Sequence, residues 1–376
     1  MSPTRRPGTP PRLLIEVSPA YELLLSIQLS LEERQPDTRD MPDEWLADVR
    51  ERAGVELLER IAAVSRGEGD TFTHLFGIVH DTPAPQTVPG FIDHLRETDA
   101  QEILLHLVQF YSREVRRLTP ASVIRSAVAG DREARAEFLR TSYPEWSDWT
   151  DYLARLLDGD PESFKAELLD VVEQWYERVW KQEALTIMPI LERDADAKRE
   201  LQHELPLDRF IVTATNGVEF SPRPGIERVV MVPSFVNRPV VTYYELGETI
   251  LIAYPVADES VSAETDAPPL RLVRMSKALG DEKRLRILRA LANGEMSLME
   301  LADLFGVAKT TMHHHMLILR SAGLVTTSVG KKAYRLRQEA VPDIGALLSG
   351  YLGAGPGPSA ASRSPASPPR KTGTAG

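Results

Sequence analysis

The apolar positions of this chain change period twice, and the changes divide it. From Ser18 to about Glu204 apolar residues recur at helical spacing. The clearest segments are PDEWLADVRERAGVELLERIAAVSRG, AQEILLHLVQFYSREVRRL and PESFKAELLDVVEQWYERVW. In the last, Phe164, Leu168, Val171, Trp175 and Val179 make one stripe behind an Asp160-Pro161 start. Ahead of them LLIEV, Leu13 to Val17, reads as a strand, and Ser18-Pro19 has the N-cap and first-turn chemistry of a helix start. After Asp208 the period becomes two. FIVTAT, IERVVMVPSF, PVVTYYEL and ETILIAYPV read as strands, the last two joined by a turn at Leu246-Gly247, so the pattern predicts a small antiparallel sheet or meander over 208–257. Helical spacing returns at Leu270, and VTTSVGKKAYRL then alternates as two short strands around Gly330-Lys331.

The stretches between these patterns set the expected domains. Residues 1–12 form a disordered N-terminus, 13–257 a mostly helical domain, 258–269 a linker, 270–352 a second domain, and 353–376 a disordered tail. DESVSAETDAPP at 258–269 is polar, acidic and ends in Pro-Pro, which suits an exposed linker. The tail GAGPGPSAASRSPASPPRKTGTAG has no apolar period. LLLSIQLSL is apolar but only nine residues long and bounded by Glu22 and Glu32-Glu33, so it predicts a core helix rather than a membrane span. A cytoplasmic protein with no membrane partner is expected. The fold class is mainly α with small β: a helical N-terminal domain ending in a small antiparallel sheet, and a C-terminal domain of helices followed by two short strands.

Charge sharpens that division. Leu270 to Leu352 carry 13 Lys+Arg against 7 Asp+Glu, net plus 6, and the tail adds three basic residues and no acid. Of the overall minus 11, this leaves minus 20 on Met1 to Pro269. A positive module attracts phosphate and a strongly negative one is repelled by it, so the acidic part should stand off a duplex.

The segment SLMELADLFGVAKTTMHHHMLILRSAGLV, Ser297 to Val325, carries the chemistry. Ser297 and Glu300 have the spacing of a capping box, Leu298, Leu301 and Ala302 form a buried face, and Gly306 suits a left-handed cap. Val307-Ala308-Lys309 must then turn the chain into a second helix, which runs at about 308–322 and ends at Ser321-Ala322-Gly323. Along it Met312, His315, Met316 and Leu319 make one stripe, leaving Lys309, Thr310, His313 and His314 on the opposite side. Short polar and basic side chains near a helix N-terminus can meet base edges and phosphates. The candidate DNA-binding residues are Lys309, Thr310, Thr311, His313, His314 and Arg320, with Lys331, Lys332 and Arg335 in a wing at about 325–337. Three consecutive histidines cannot all face one ion, because adjacent helical positions point about 100° apart. No metal and no cofactor is expected there.

From Leu270 to about Leu352 the chain resembles the ArsR-type winged helix-turn-helix domain, on the residues KALGDEKRLRILRALANGEMSLMELADLFGVAKTTMHHHMLILRSAGLV. The resemblance implies a first helix around Leu272 to Leu279, a second from Glu282 to Ala292 capped by Asp281 and closed by Asn293-Gly294, and dimerisation through the terminal helices. It implies a homodimeric repressor on a palindromic site in double-stranded DNA. Glu282 stands where the family usually has Pro, a first-turn position that welcomes an acid. The family's metal sensors use Cys, or Asp and His of the last helix. This chain has no Cys, and Val341 to Leu352 offers Asp343 and no His, so neither site carries over. VVMVPSFVNRP followed by ILIAYP resembles the end of an N-terminal domain seen ahead of such winged helices in Gram-positive regulators.

The N-terminal region shows no enzyme signature. His74, His80, His94 and His106 lack HxxxH or HxH spacing, and there is no GxSxG, P-loop, dinucleotide fingerprint or Cys nucleophile. Asp40, Asp43 and Glu44, and Asp148 with Asp151, read as solvated faces. Two roles stay open for this domain. It could sense a small apolar effector in a pocket supplied by Trp45, Trp146, Trp149, Trp175 and Trp180, or it could dock another protein and sense no small molecule.

Overall fold

The computed structural model describes residues 10–32, 39–65, 71–142, 147–221, 224–261, 268–328 and 333–353. Helices dominate, with two four-stranded sheets among the described residues. Eight strands are described: β1 (Arg12–Ile15), β2 (Val218–Glu219), β3 (Arg228–Ser234), β4 (Thr242–Leu246), β5 (Thr249–Pro255), β6 (Met296–Ser297), β7 (Val325–Ser328) and β8 (Ala333–Leu336). Of the expected disordered ends, residues 1–9 and 354–376 lie outside the described residues, while Arg12 already pairs in a strand.

The first long helix, Pro19–Leu31, starts as its sequence dictates. The Ser18 hydroxyl accepts the Ala20 amide at 3.3 Å, and Pro19 fills the first turn. Leu23, Leu24, Leu25, Ile27 and Leu29 are all buried, so LLLSIQLSL is core. The stripe ending in Trp175 belongs to Pro161–Trp175, which runs through a π-helical turn, Tyr176–Trp180, into Lys181–Glu204. Leu168, Val171, Trp175 and Val179 are fully buried against the helices upstream. Among the described residues no helix is long and apolar enough to cross a membrane.

The sheet of this domain departs from expectation. Its order is β1-β3-β5-β4, with β1, β3 and β5 parallel and only β4 antiparallel. It is a mixed sheet rather than an antiparallel meander, and the reason lies in burial. Val230, Val232, Leu251 and Ala253 face the large helical core, while Val229, Met231, Ile250, Ile252 and Tyr254 face a second core. A sheet covered on both faces needs near-continuous apolar strands and accommodates parallel pairing. The segment expected as the strand FIVTAT is instead a helix, Leu207–Ala214. Leu207, Phe210, Ile211 and Ala214 recur at helical spacing and cover that second face. The β4–β5 hairpin forms as predicted, closing between Leu246 and Thr249.

One buried acid holds the sheet to the first helix. Glu22 is fully buried, and its carboxyl accepts the Phe235 amide, the Val236 amide at 3.1 Å and the Ser234 hydroxyl at 3.0 Å. Burial is the largest influence on it and raises its pKa from 4.5 to about 7.

The C-terminal domain is joined to this body more closely than a flexible linker would allow. Asp258–Val261 is a short helix, while residues 262–267 of the expected linker lie outside the described residues. Arg274, on the helix Leu270–Leu279, donates to both oxygens of Asp40 at 2.9 and 2.7 Å and to Asp258 at 3.0 Å. The nearly buried Arg238 also pairs with Asp258. Asp40, read from sequence as solvated, is therefore only 9% exposed and lies in an ion network across the junction.

Candidate nucleic-acid interface

The helix-turn-helix is built by local signals that the sequence states openly. The Ser297 hydroxyl accepts the Glu300 amide at 3.2 Å, and the Glu300 carboxylate accepts the Ser297 amide at 2.7 Å. This capping box starts the helix Leu298–Phe305. Gly306 ends it in the left-handed region, at φ 61°. The chain turns through Val307 and Ala308 into the recognition helix Lys309–Ser321. Upstream, the Asp281 side chain accepts the Arg284 amide at 2.8 Å and caps the scaffold helix Glu282–Leu291.

Packing then decides which face of the recognition helix looks outward. Met312, Met316, Ile318 and Leu319 are buried among Ile287, Leu291, Leu301 and Ala302. Lys309, Thr310, Thr311, His313 and His314 are exposed. The N-cap is Ala308, which contributes no side-chain acceptor, so the first-turn amides are suited to an anion. His313 has a pKa lowered first by partial burial and then by Arg320, His314 and Lys309. His315 is half-buried beside Asp281, and its pKa is lowered chiefly by burial, against the pull of that carboxylate. It belongs to the scaffold side, as the stripe predicts. Among the described residues no group of three His, Cys, Asp or Glu is placed to hold a metal ion.

Arg320 is only partly exposed. It lies on the same stripe as Lys309 and His313, three turns beyond the first and two beyond the second, where Tyr334 and Tyr243 lie nearby and burial lowers its pKa. Periodicity within the helix could not show that Tyr334 and Tyr243 stand beside it. Arg335 is exposed on β8 yet already pairs with Glu219 of the N-terminal body. Lys331 and Lys332 lie outside the described residues. The wing strands flanking them form, with Val325 opposite Leu336 and Thr327 opposite Tyr334.

The wing sheet holds a feature that the sequence did not announce. Its order is β2-β7-β8-β6, so its outer strand, Val218–Glu219, comes from the N-terminal body. A two-residue strand carries too little alternation to be read from sequence. Asn216 and Gly217 lead into it at positive φ, and the Asn216 amide oxygen accepts from Arg337 at 3.0 Å.

Four of the five tryptophans named for a pocket lie among the described residues. Trp175 and Trp180 are fully buried core residues, and the Trp175 indole donates to Ser26 at 2.8 Å. Trp149 is nearly buried, Trp45 donates to Glu183 at 2.6 Å, and Trp146 lies outside the described residues.

Residues 279–328 match the family model described as a helix-turn-helix domain. No curated protein and no solved structure matches the chain. The capped two-helix unit, its outward polar face and this match together define a C-terminal helix-turn-helix DNA-binding domain. DNA is its partner, and transcription regulation its class of function.

Proposed function

We propose that the protein is a sequence-specific transcriptional regulator of ArsR type, acting in the cytoplasm as a homodimeric repressor on a palindromic operator. The observation that carries this reading is the recognition helix: its inner stripe is fully committed to packing, while Lys309, Thr310, Thr311, His313 and His314 are presented together at its N-terminal half. These side chains would read base edges and nearby phosphates in the major groove, and the wing would add backbone contacts. Arg320 is left out of the reading surface, and no catalytic role is assigned to any residue.

The dimer is supported by exposed apolar surface on the terminal helices of the winged domain. Leu270, Leu348, Tyr351 and Leu352 are exposed on or beside Leu270–Leu279 and Asp343–Tyr351, which are tied together by the Arg271–Asp343 ion pair. Two copies joined there would place two recognition helices on half-sites about 34 Å apart, one turn of duplex. The N-terminal body would supply control, as a sensor of a non-metal ligand. Trp149, Trp175 and Trp180 are buried in its core, an observation that favours the second reading, in which this body docks another protein.

The test is titration of the full chain against a palindromic duplex selected from random sequence. Selective binding by the wild type, weakened by Lys309→Ala, supports the reading. Equal affinity for all duplexes would contradict it.

A further inference from the structure

The contact between β2 and the wing joins two surfaces of opposite function. Val218 and Glu219 pair in parallel register with Thr327 and Ser328, making the N-terminal body the edge of the wing sheet. On the other side of β7, Arg335 stands opposite Thr326. Thr326 and Ser328 are two residues apart on one strand, so register puts Arg335 and Glu219 on the same face of the sheet. Their side chains meet across β7 as an ion pair. The pair stays open to solvent, with Arg335 55% and Glu219 30% exposed, and both residues line a cleft of about 420 Å³ beside Asn293 and Gly294.

The placement is not a by-product of a loose loop. Gly217 packs where an added Cβ would lie 3.3 Å from the Val325 carbonyl, and an added Cβ on Gly323 would meet the Asn216 side chain at 2.5 Å. Val218 is buried in the second core of the N-terminal body, which fixes Glu219 next to it. An acidic residue is thus held, from a body carrying net minus 20, against a cation of the wing.

We infer that Glu219 is a built-in competitor for DNA phosphate: it occupies Arg335 and so keeps that guanidinium from a backbone phosphate that it would otherwise contact in the complex. This rests on the DNA-binding reading above. Neutralising Glu219 removes the competitor without removing the strand, so affinity should rise for all sequences alike. Because the gain is one additional phosphate contact, it should be salt-dependent.

The experiment measures binding of the full chain to its selected duplex and to an unrelated duplex, between 50 and 200 mM salt, for wild type, Glu219→Gln, Arg335→Ala and the double variant. Glu219→Gln should bind both duplexes more tightly, with the salt slope steeper by about one and the advantage shrinking about threefold across that range. On the Arg335→Ala background the same change should have no effect. If Glu219→Gln binds like wild type while wild type binds DNA, the inference fails and the DNA-binding reading stands. If neither protein binds any duplex, both fail. Weaker binding by Glu219→Gln would show that Glu219 supports the wing and would overturn the competition.

Discussion

The side chains that decide recognition are few, and their roles separate by position on one helix. Lys309→Ala and Thr310→Ala should each weaken binding to the specific duplex by about tenfold, about 1.4 kcal/mol, while leaving thermal stability unchanged because both are exposed. His313 gives the interface a pH dependence. Its pKa lies below 6.5 in the unbound protein because burial and three neighbouring cationic or ionisable groups disfavour its charge. A phosphate beside it would favour the imidazolium, so binding takes up a proton and affinity should rise as pH falls from neutral into the acid range. His313→Gln should flatten that rise in a pH series of binding isotherms. Glu22 gives the fold a dependence of its own. Its native carboxyl keeps a proton up to about 7, whereas an unfolded chain loses it near 4.5. Between those values the native state binds more protons, so stability falls as pH rises through the window and levels off above it, by at most about 3 kcal/mol. Glu22→Gln should remove most of that slope in denaturant titrations.

The helix-turn-helix is held by local signals, and each can be broken alone. Ser297→Ala should cost about 1 kcal/mol by removing half of the capping box. Gly306→Ala meets nothing within 4 Å, so its cost, about 1 kcal/mol, is backbone strain at positive φ alone. Chemical denaturation of the two variants checks both values. These elements were legible because caps, a left-handed glycine and a 3.6-residue stripe all act within a few residues. Leu207–Ala214 was not, because its Ile, Val and Thr favour strands while its burial against the second face of the sheet favours a helix, and only tertiary packing decides. The direction of β3 and β5 was hidden for a related reason. An apolar run covered on both faces fits either pairing direction, and the partner of each strand lies far away in sequence. Among the candidate site residues, Lys309, Thr310, Thr311, His313 and His314 could be placed by periodicity within one helix. The surroundings of Arg320 could not, since Tyr334 and Tyr243 lie outside the helix and are brought to it by the tertiary fold.

At the scale of the whole molecule, the described residues join the acidic body and the basic module through the Asp40–Arg238–Asp258–Arg274 network and through β2. Arg274→Ala leaves Asp40 and Asp258 with less compensation in a poorly solvated junction and should cost about 3 kcal/mol. Calorimetry should then resolve an earlier transition for the winged domain. A body fixed in this way sets the attitude of the recognition helix relative to itself. The measurement that bears most directly on the central claim is selection of duplexes from a random pool by the purified full chain. The account predicts enrichment of one inverted repeat, with half-sites about one helical turn apart, and loss of that enrichment in Lys309→Ala. Recovery of no common sequence, or of one unaffected by changes to the recognition helix, would contradict it.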